Sequence, residues 1–217
     1  RKMKVDPFDQ EESLDAFIRD LGKMPLEFSP GSAWNYSVST DVLGYLVGRI
    51  SGVPFPEFLR TRIFEPLGMH DTAFHVPAEK AHRLTRCYQR NASGALAAMN
   101  LRSFLEPPAA PSGGGGLVST AADYLKFCEA MRLGGRLGDA RLLGPKTVQL
   151  MRMNHLPGGQ DLADISVSMF SEAVYQGIGF GLGFAMTTNQ ARTQLAVSQG
   201  EYWWGGAAST AFWIDPV

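Results

Sequence analysis

Two short stretches hold the residues best suited to chemistry. In 28-FSPGSAWNYSVSTD-41, Tyr36 lies in turn-rich sequence three residues before Ser39, an expected helix cap, which places its phenol just outside a helix N-terminus. A phenol so placed can accept or donate a proton, or it can anchor a loop on the core. In 200-GEYWWGGAASTAFWID-215, two aromatic runs of strand character flank Gly205 and Gly206. Glycine inside a strand marks either a bulge or a place where another group approaches the backbone closely.

Other catalytic signals are missing. The chain has no G-x-S-x-G elbow, no H-E-x-x-H and no G-x-x-x-x-G-K-[ST]; the glycines at 113–116 lack the following Lys-Ser or Lys-Thr of a phosphate loop. His70, His75, His82 and His155 show no ligand spacing beyond a loose cluster over 70–82, so no metal site and no cofactor is expected. Cys87 and Cys128 are too few for a disulfide scaffold, and Cys128 falls on an apolar helical stripe. Twenty basic and twenty-one acidic residues leave a net charge of -1, which argues against nucleic acid or an anionic membrane surface as a partner. No apolar run is long enough to span a bilayer, and the opening Arg-Lys-Met-Lys-Val-Asp carries no signal segment. With 217 residues and 45% hydrophobic content the chain can bury a sizeable core.

The elements that must position these residues are helical first. Residues 12–23 align Leu14, Phe17, Ile18 and Leu21; residues 40–50 align Val42, Leu43, Leu46, Val47 and Ile50, and both read as core-facing helices. A third helix is expected from about Pro54 through Phe55, Phe58, Leu59 and Ile63, ending at Pro66 and Gly68. Some forty residues without periodicity follow, closing with the loop 107-PPAAPSGGGG-116. Thr120 and Asp123 have capping-box spacing ahead of a stripe of Ala121, Tyr124, Leu125, Cys128 and Met131, and Pro145 opens a helix carrying Val148 and Met151. After about residue 177 the period changes to two. Residues 178–186 then predict one strand, with 194-QLAV-197 and the two runs around Gly205 as further strands. Connections this short require antiparallel pairing, so the expected class is α+β: a mostly helical region over 1–176 and antiparallel strands over 177–217.

The segment 28-FSPGSAWNYSVSTDVLGYLVGRISG-52 resembles the second motif, Tyr-x-Asn or Tyr-Ser-x, of the serine β-lactamase and penicillin-binding superfamily. The sequence YSVSTDVLG is closest to carboxylesterases built on the class C β-lactamase fold (family VIII esterases). The resemblance continues in order through 64-FEPLGMHDTAF-74, 113-GGGGLVSTAADYLKF-127, 150-LMRMNHLP-157, 180-FGLGFAM-186 and 204-WGGAASTAFWIDP-216. It implies a β-lactamase/transpeptidase-like fold, an antiparallel sheet flanked by helices plus a helical region. It also implies Tyr36 as a catalytic residue, and the strand at Trp204, Gly205 and Gly206 as the active-site wall in place of Lys-Thr-Gly. The backbone N–H of Ala207 is then an oxyanion donor, and Val38 and Tyr202 belong to the substrate pocket.

The family's first motif, Ser-x-x-Lys, is absent: none of Lys2, Lys4, Lys23, Lys80, Lys126 and Lys146 has a serine or threonine three residues before it. The expectation is therefore an internal segment of a longer chain, with the nucleophilic serine and its lysine upstream. By resemblance the activity is that of a serine hydrolase acting on small-molecule esters through an acyl-enzyme. A β-lactamase or DD-peptidase, and a non-catalytic binding or scaffold protein of the same fold, remain the alternatives. A free tyrosine loses its proton near pH 10, so a phenolate base at neutral pH requires about 4 kcal/mol of preferential stabilisation, which a neighbouring ammonium could supply.

Overall fold

The computed structural model describes residues 13–99, 104–170 and 172–217. Glu12, the expected first residue of the first helix, lies outside the described residues, as do Lys2 and Lys4. In chain order the helices are α1 (Leu14–Leu21), α2 (Ser39–Ser51), α3 (Phe55–Leu59), α4 (Glu65–Leu67), α5 (Ala121–Arg132), α6 (Pro145–Met151), α7 (Leu162–Ile165) and α8 (Gln190–Thr193). The strands are β1 (Tyr88–Arg90), β2 (Leu96–Ala98), β3 (Arg136–Leu137), β4 (Ala140–Arg141), β5 (Ile178–Phe180), β6 (Ala185–Thr187), β7 (Tyr202–Gly205) and β8 (Ala211–Ile214). These form two compact units that interleave along the chain. One comprises the described residues up to Met24 with Val38–Glu65 and Met69–Asp123; the other comprises Pro25–Ser37, Pro66–Gly68 and Tyr124–Val217.

The first unit is organised around α2. Val38, not Ser39, is its N-cap residue, and the cap has no side-chain hydrogen bond. Among the described residues Leu43, Leu46 and Ile50 of its apolar stripe are exposed and Val42 and Val47 half-buried, while Asp41 and Gly44 are buried. The small face admits backbone. A methyl group on Gly44 would meet the Phe55 ring at 3.0 Å and Gly113 Cα at 3.3 Å, and one on Gly113 would lie 2.0 Å from the Thr40 carbonyl oxygen. The buried Asp41 carboxylate accepts hydrogen bonds from the Ser112 hydroxyl and, at 3.4 Å, from Gly114 N–H. The glycine run is thus a close-packing device against the first turn of α2.

Pro54 caps α3, which continues through one π-helical turn (Arg60–Phe64) into α4, and Gly68 ends the run at φ +66°. Within the stretch that showed no periodicity, β1 and β2 form an antiparallel hairpin. The 70–82 segment is tied down by charge. Asp71 pairs with Lys80 at 2.6 Å and Arg83 at 2.8 Å, and these two cations hold its carboxyl well below the ordinary range. Thr120 accepts from Asp123 N–H, and the Asp123 carboxylate accepts from Asp71 N–H at 2.7 Å. Of the stripe expected on α5, Met131 is buried and Tyr124 and Cys128 are half-buried, whereas Ala121 and Leu125 are exposed and Ala130 is buried beside Met131.

In the second unit β5–β6–β7–β8 form a four-stranded antiparallel sheet. The predicted single strand over 178–186 is instead a hairpin, closed by Gly181 N–H donating to Phe184 O and by Gly183 at φ +96°. Residues 194–197 are not a strand: Asn189 caps α8 and Gln194 ends it in the left-handed region. One core cluster is Met131, Val148, Phe184, Met186, Tyr202 and Ile214; the other is Leu156, Leu162, Ile165, Ile178 and Ala185. The alternation of Phe184, Ala185 and Met186 between these clusters is the two-residue period of a strand buried on both faces. Among the described residues no helix is long and apolar enough to cross a membrane.

Gly113→Ala in the complete protein is expected to cost about 1–3 kcal/mol, the range for overpacking, read as a lower midpoint in urea unfolding. An unchanged midpoint would show that the α2 contact relaxes without cost.

Candidate active site

Tyr36 reaches the sheet through its neighbour. Trp34 N–H donates to Ile165 O at 3.0 Å and Val167 N–H donates to Trp34 O at 3.1 Å, a one-residue parallel bridge opposite Ser166. Asn35 adds a side-chain bond to Glu27 at 2.6 Å. Two residues beyond the bridge, the Tyr36 ring lies 5.6 Å from Trp204, 5.5 Å from Phe170 and 6.3 Å from Trp34. The residue is 45% exposed. It therefore combines a packed edge with a face open to a ligand.

The strand it faces overruns its neighbour. β7 pairs with β6 only at Tyr202 and Trp203, whereas its pairing with β8 extends through Gly205. On the β6 side Trp204 and Gly205 therefore have no ladder partner among the described residues, because the chain turns away at 181–184. Beyond β7, Gly206 N–H donates to Thr210 O at 2.7 Å and Ser209 N–H to Gly206 O at 3.0 Å, a three-residue hairpin loop with Ser209 at φ +59°. Ala207 sits exposed in that loop, and its N–H donates to no described residue.

The two glycines have different physical reasons. A methyl group on Gly206 would lie 2.2 Å from the Thr210 hydroxyl, so a side chain there requires the Thr210 side chain to move. On Gly205 it would meet nothing nearer than Thr210 O at 4.0 Å. Packing leaves the Gly205 position open, as a strand edge kept bare for a ligand requires.

The structure brings together Tyr36 and Trp204, with Gly205, Gly206 and Ala207 following on the same strand and loop. It does not bring Tyr202. That side chain is 1% exposed inside the first core cluster, against Phe184 at 5.1 Å, and presents no surface to a substrate. Burial pushes its phenol up to about 12, and its hydroxyl has no hydrogen-bond partner among the described residues. Val38 belongs to the first unit, at the N-cap of α2. Among the described residues no three His, Cys, Asp or Glu side chains converge to hold a metal ion. His155 is occupied with Leu150 O at 2.8 Å.

Three further residues line the site; Phe170 and Asp161 carry no sequence signal of their own, whereas Phe180 opens the stretch 180-FGLGFAM-186 and was expected only as a strand residue. Phe170 contacts Trp34 at 5.4 Å and stacks on Trp204 at 5.1 Å; Phe180 meets Trp34 at 5.2 Å and Trp204 at 5.4 Å. Asp161, buried, accepts from Gly177 N–H at 2.7 Å and pairs with Arg192 at 2.7 Å, so it ties together the two ends of the segment that carries Phe170.

The helices and antiparallel sheet have the fold of the β-lactamase and penicillin-binding proteins. The chain belongs to the Beta-lactamase family, whose sequence profile matches residues 1–217. It is 32% identical to Protein Rv1367c of Mycobacterium tuberculosis over 214 residues, 97% of this chain and 52% of that protein. It is 29% identical to Esterase EstB of Burkholderia gladioli over 222 residues, 93% of this chain and 51% of that one. Among solved structures it is similar to EstCE1, a hydrolase with promiscuous acyltransferase activity, at 27% identity and a TM-score of 0.78, covering 96% of this chain and 55% of that chain. The chain thus spans about half the length of the relatives it matches.

Two expectations follow for the complete protein. Tyr202→Phe removes a buried hydroxyl that no described residue partners and should leave stability unchanged or raise it by about 1 kcal/mol in urea unfolding; a clear loss would reveal a partner for the hydroxyl. Gly206→Ala should cost about 1–3 kcal/mol while Gly205→Ala stays within about 0.5 kcal/mol of the parent. Equal losses would mean that packing dictates both glycines.

Proposed function

We propose that the complete protein is a serine hydrolase, a carboxylesterase for short-chain esters, in which this segment supplies the base and the oxyanion strand. The observation that carries the reading is the placement of the half-exposed Tyr36 ring 5.6 Å from Trp204, at the unpaired end of β7. The esterase and hydrolase names of EstB and EstCE1 support it. The nucleophilic serine and its lysine are supplied from upstream of this segment.

In the proposed cycle the serine hydroxyl attacks the ester carbonyl, forming the serine–carbon bond, and its proton passes to Tyr36, which enters the step as the phenolate stabilised by the upstream lysine. The carbonyl oxygen, now bearing the negative charge, lies in the Ala207 loop and accepts a hydrogen bond from Ala207 N–H. Loss of such a donor typically costs about 2.7–4 kcal/mol of transition-state stabilisation. The carbon–oxygen bond to the alcohol then breaks as Tyr36 returns the proton to the leaving oxygen. Water repeats the sequence on the acyl-serine: Tyr36 takes its proton, the acid departs, and the proton goes back to the serine. Gly205, with open space in place of a side chain, lets the acyl group lie along the strand.

Trp204 favours neutral esters over β-lactams. The indole offers one N–H donor and no charge where the family's lysine would meet a carboxylate. The ring is also an apolar wall for a short acyl group.

The test is Tyr36→Phe in the complete protein, assayed with p-nitrophenyl butyrate and nitrocefin. The mutant should lose at least about a hundredfold in kcat with an unchanged melting temperature. The parent should favour the ester over nitrocefin by about a hundredfold in kcat/KM, a gap that narrows in Trp204→Lys. Full activity in Tyr36→Phe would make Tyr36 a structural tyrosine, and efficient nitrocefin turnover by the parent would make the protein a β-lactamase. Absence of fluorophosphonate labelling on any serine would leave a binding protein.

A further inference from the structure

Phe170 is held in a conformation that its own backbone disfavours. Its φ is +71°, in the left-handed region where a bulky L-residue is an outlier. Such strain persists only where the surroundings over-determine it, and here they can be named. The ring stacks on Trp204 at 5.1 Å and 24°, meets Tyr36 at 5.5 Å and Trp34 at 5.4 Å, and lies 4.9 Å from Tyr175. The segment is fastened on either side. Ile165 and Val167 bond to Trp34, and Gly177 N–H bonds to the Asp161 carboxylate, itself paired with Arg192. Ring packing and the two fastenings thus act together against the strain. One side chain therefore touches both the proposed base and the ring that opens the oxyanion strand.

We propose that Phe170 is a specificity-determining residue that sets the upper size of the substrate's acyl group, an inference that rests on the ester-hydrolase reading of the site. The acyl group is the constrained part because it stays bonded at the carbonyl, beside β7, through both steps, whereas the alcohol leaves past the exposed side of Tyr36. An acyl chain extending from Trp204 toward Tyr36 meets the Phe170 ring, which is rigidly backed by Trp34 and Tyr175. Short chains end before it, and long ones collide with it. Removing the ring opens an aromatic-lined space for additional methylenes, each worth about tenfold or more in an apolar pocket that accepts it.

The experiment measures kcat/KM of the complete protein on p-nitrophenyl acetate, butyrate, octanoate and decanoate, with one leaving group throughout. Phe170→Ala and Phe170→Gly should raise the decanoate-to-butyrate ratio by about tenfold or more, chiefly through a lower KM for decanoate. Phe170→Gly also accepts the positive φ without strain, so it retains the backbone path if the alanine variant folds poorly. Met169→Ala, at the exposed neighbouring position, should leave the profile unchanged. A chain-length profile that stays within about twofold of the parent in both Phe170 variants overturns the proposal, as does the same shift in Met169→Ala. The failure is separable from that of the proposed function: an active Tyr36→Phe with a shifted Phe170 profile removes the base assignment alone, and an inactive Tyr36→Phe with unchanged Phe170 profiles removes the size limit alone.

Discussion

The second unit depends on one short piece of backbone pairing. Two hydrogen bonds at Trp34, to Ile165 and from Val167, fasten the segment before α2 to the segment after α7, and through it to the sheet. Without them nothing in the local sequence would bring residue 36 near residue 204, since turns and short loops carry no long-range instruction. With them, the rings of Trp34, Tyr36, Phe170, Phe180 and Trp204 converge. Aromatic pairs at such separations contribute about 0.5–1.5 kcal/mol each beyond area burial. The backbone bridge sets the register, and the rings then fix the geometry. Asp161 completes the arrangement by joining Gly177 and Arg192 at the far end of the same segment.

A second constraint acts through glycine, by different means at different positions. Gly113 lets two backbones touch at α2, and Gly206 clears the Thr210 hydroxyl. Gly205 has no packing reason within the unit. Glycines at strand ends are read from sequence as bulges or as bare edges, and only the space around each one separates those readings. In this chain adjacent glycines divide between them: Gly206 shapes the hairpin, and Gly205 leaves the edge of β7 open.

Much of this was legible from the residues. The helices at 39–51, 121–132 and 145–151 follow from apolar period, and the antiparallel sheet follows from period two with short connections. The Tyr36 and Trp204-Gly205-Gly206 stretches stand out by residue type and context, and the structure brings Tyr36 and Trp204 together. Other features were hidden for identifiable reasons. The alternation over 178–186 continues smoothly through a hairpin, because Gly181 and Gly183 satisfy both the pattern of a strand and the needs of a turn. Leu43, Leu46 and Ile50 read as a core face, yet Gly44 chose the opposite face by admitting a closer neighbour. Tyr202 is placed by the same strand as Trp204 but sinks into the core, a distinction that strand alternation alone does not make. Phe170 has no local signal at all, since its importance comes from contacts made at a distance in sequence.

The central claim is that the unpaired end of β7 receives an acyl group with Tyr36 beside it. A crystal structure of the complete protein carrying a covalent alkyl phosphonate on its nucleophile tests this most directly. The expected structure has a phosphoryl oxygen within hydrogen-bonding distance of Ala207 N–H, the alkyl group along Gly205 toward Phe170, and the Tyr36 hydroxyl within reach of the modified oxygen. A phosphonate bound away from β7, or a Tyr36 hydroxyl turned from it, would contradict the account.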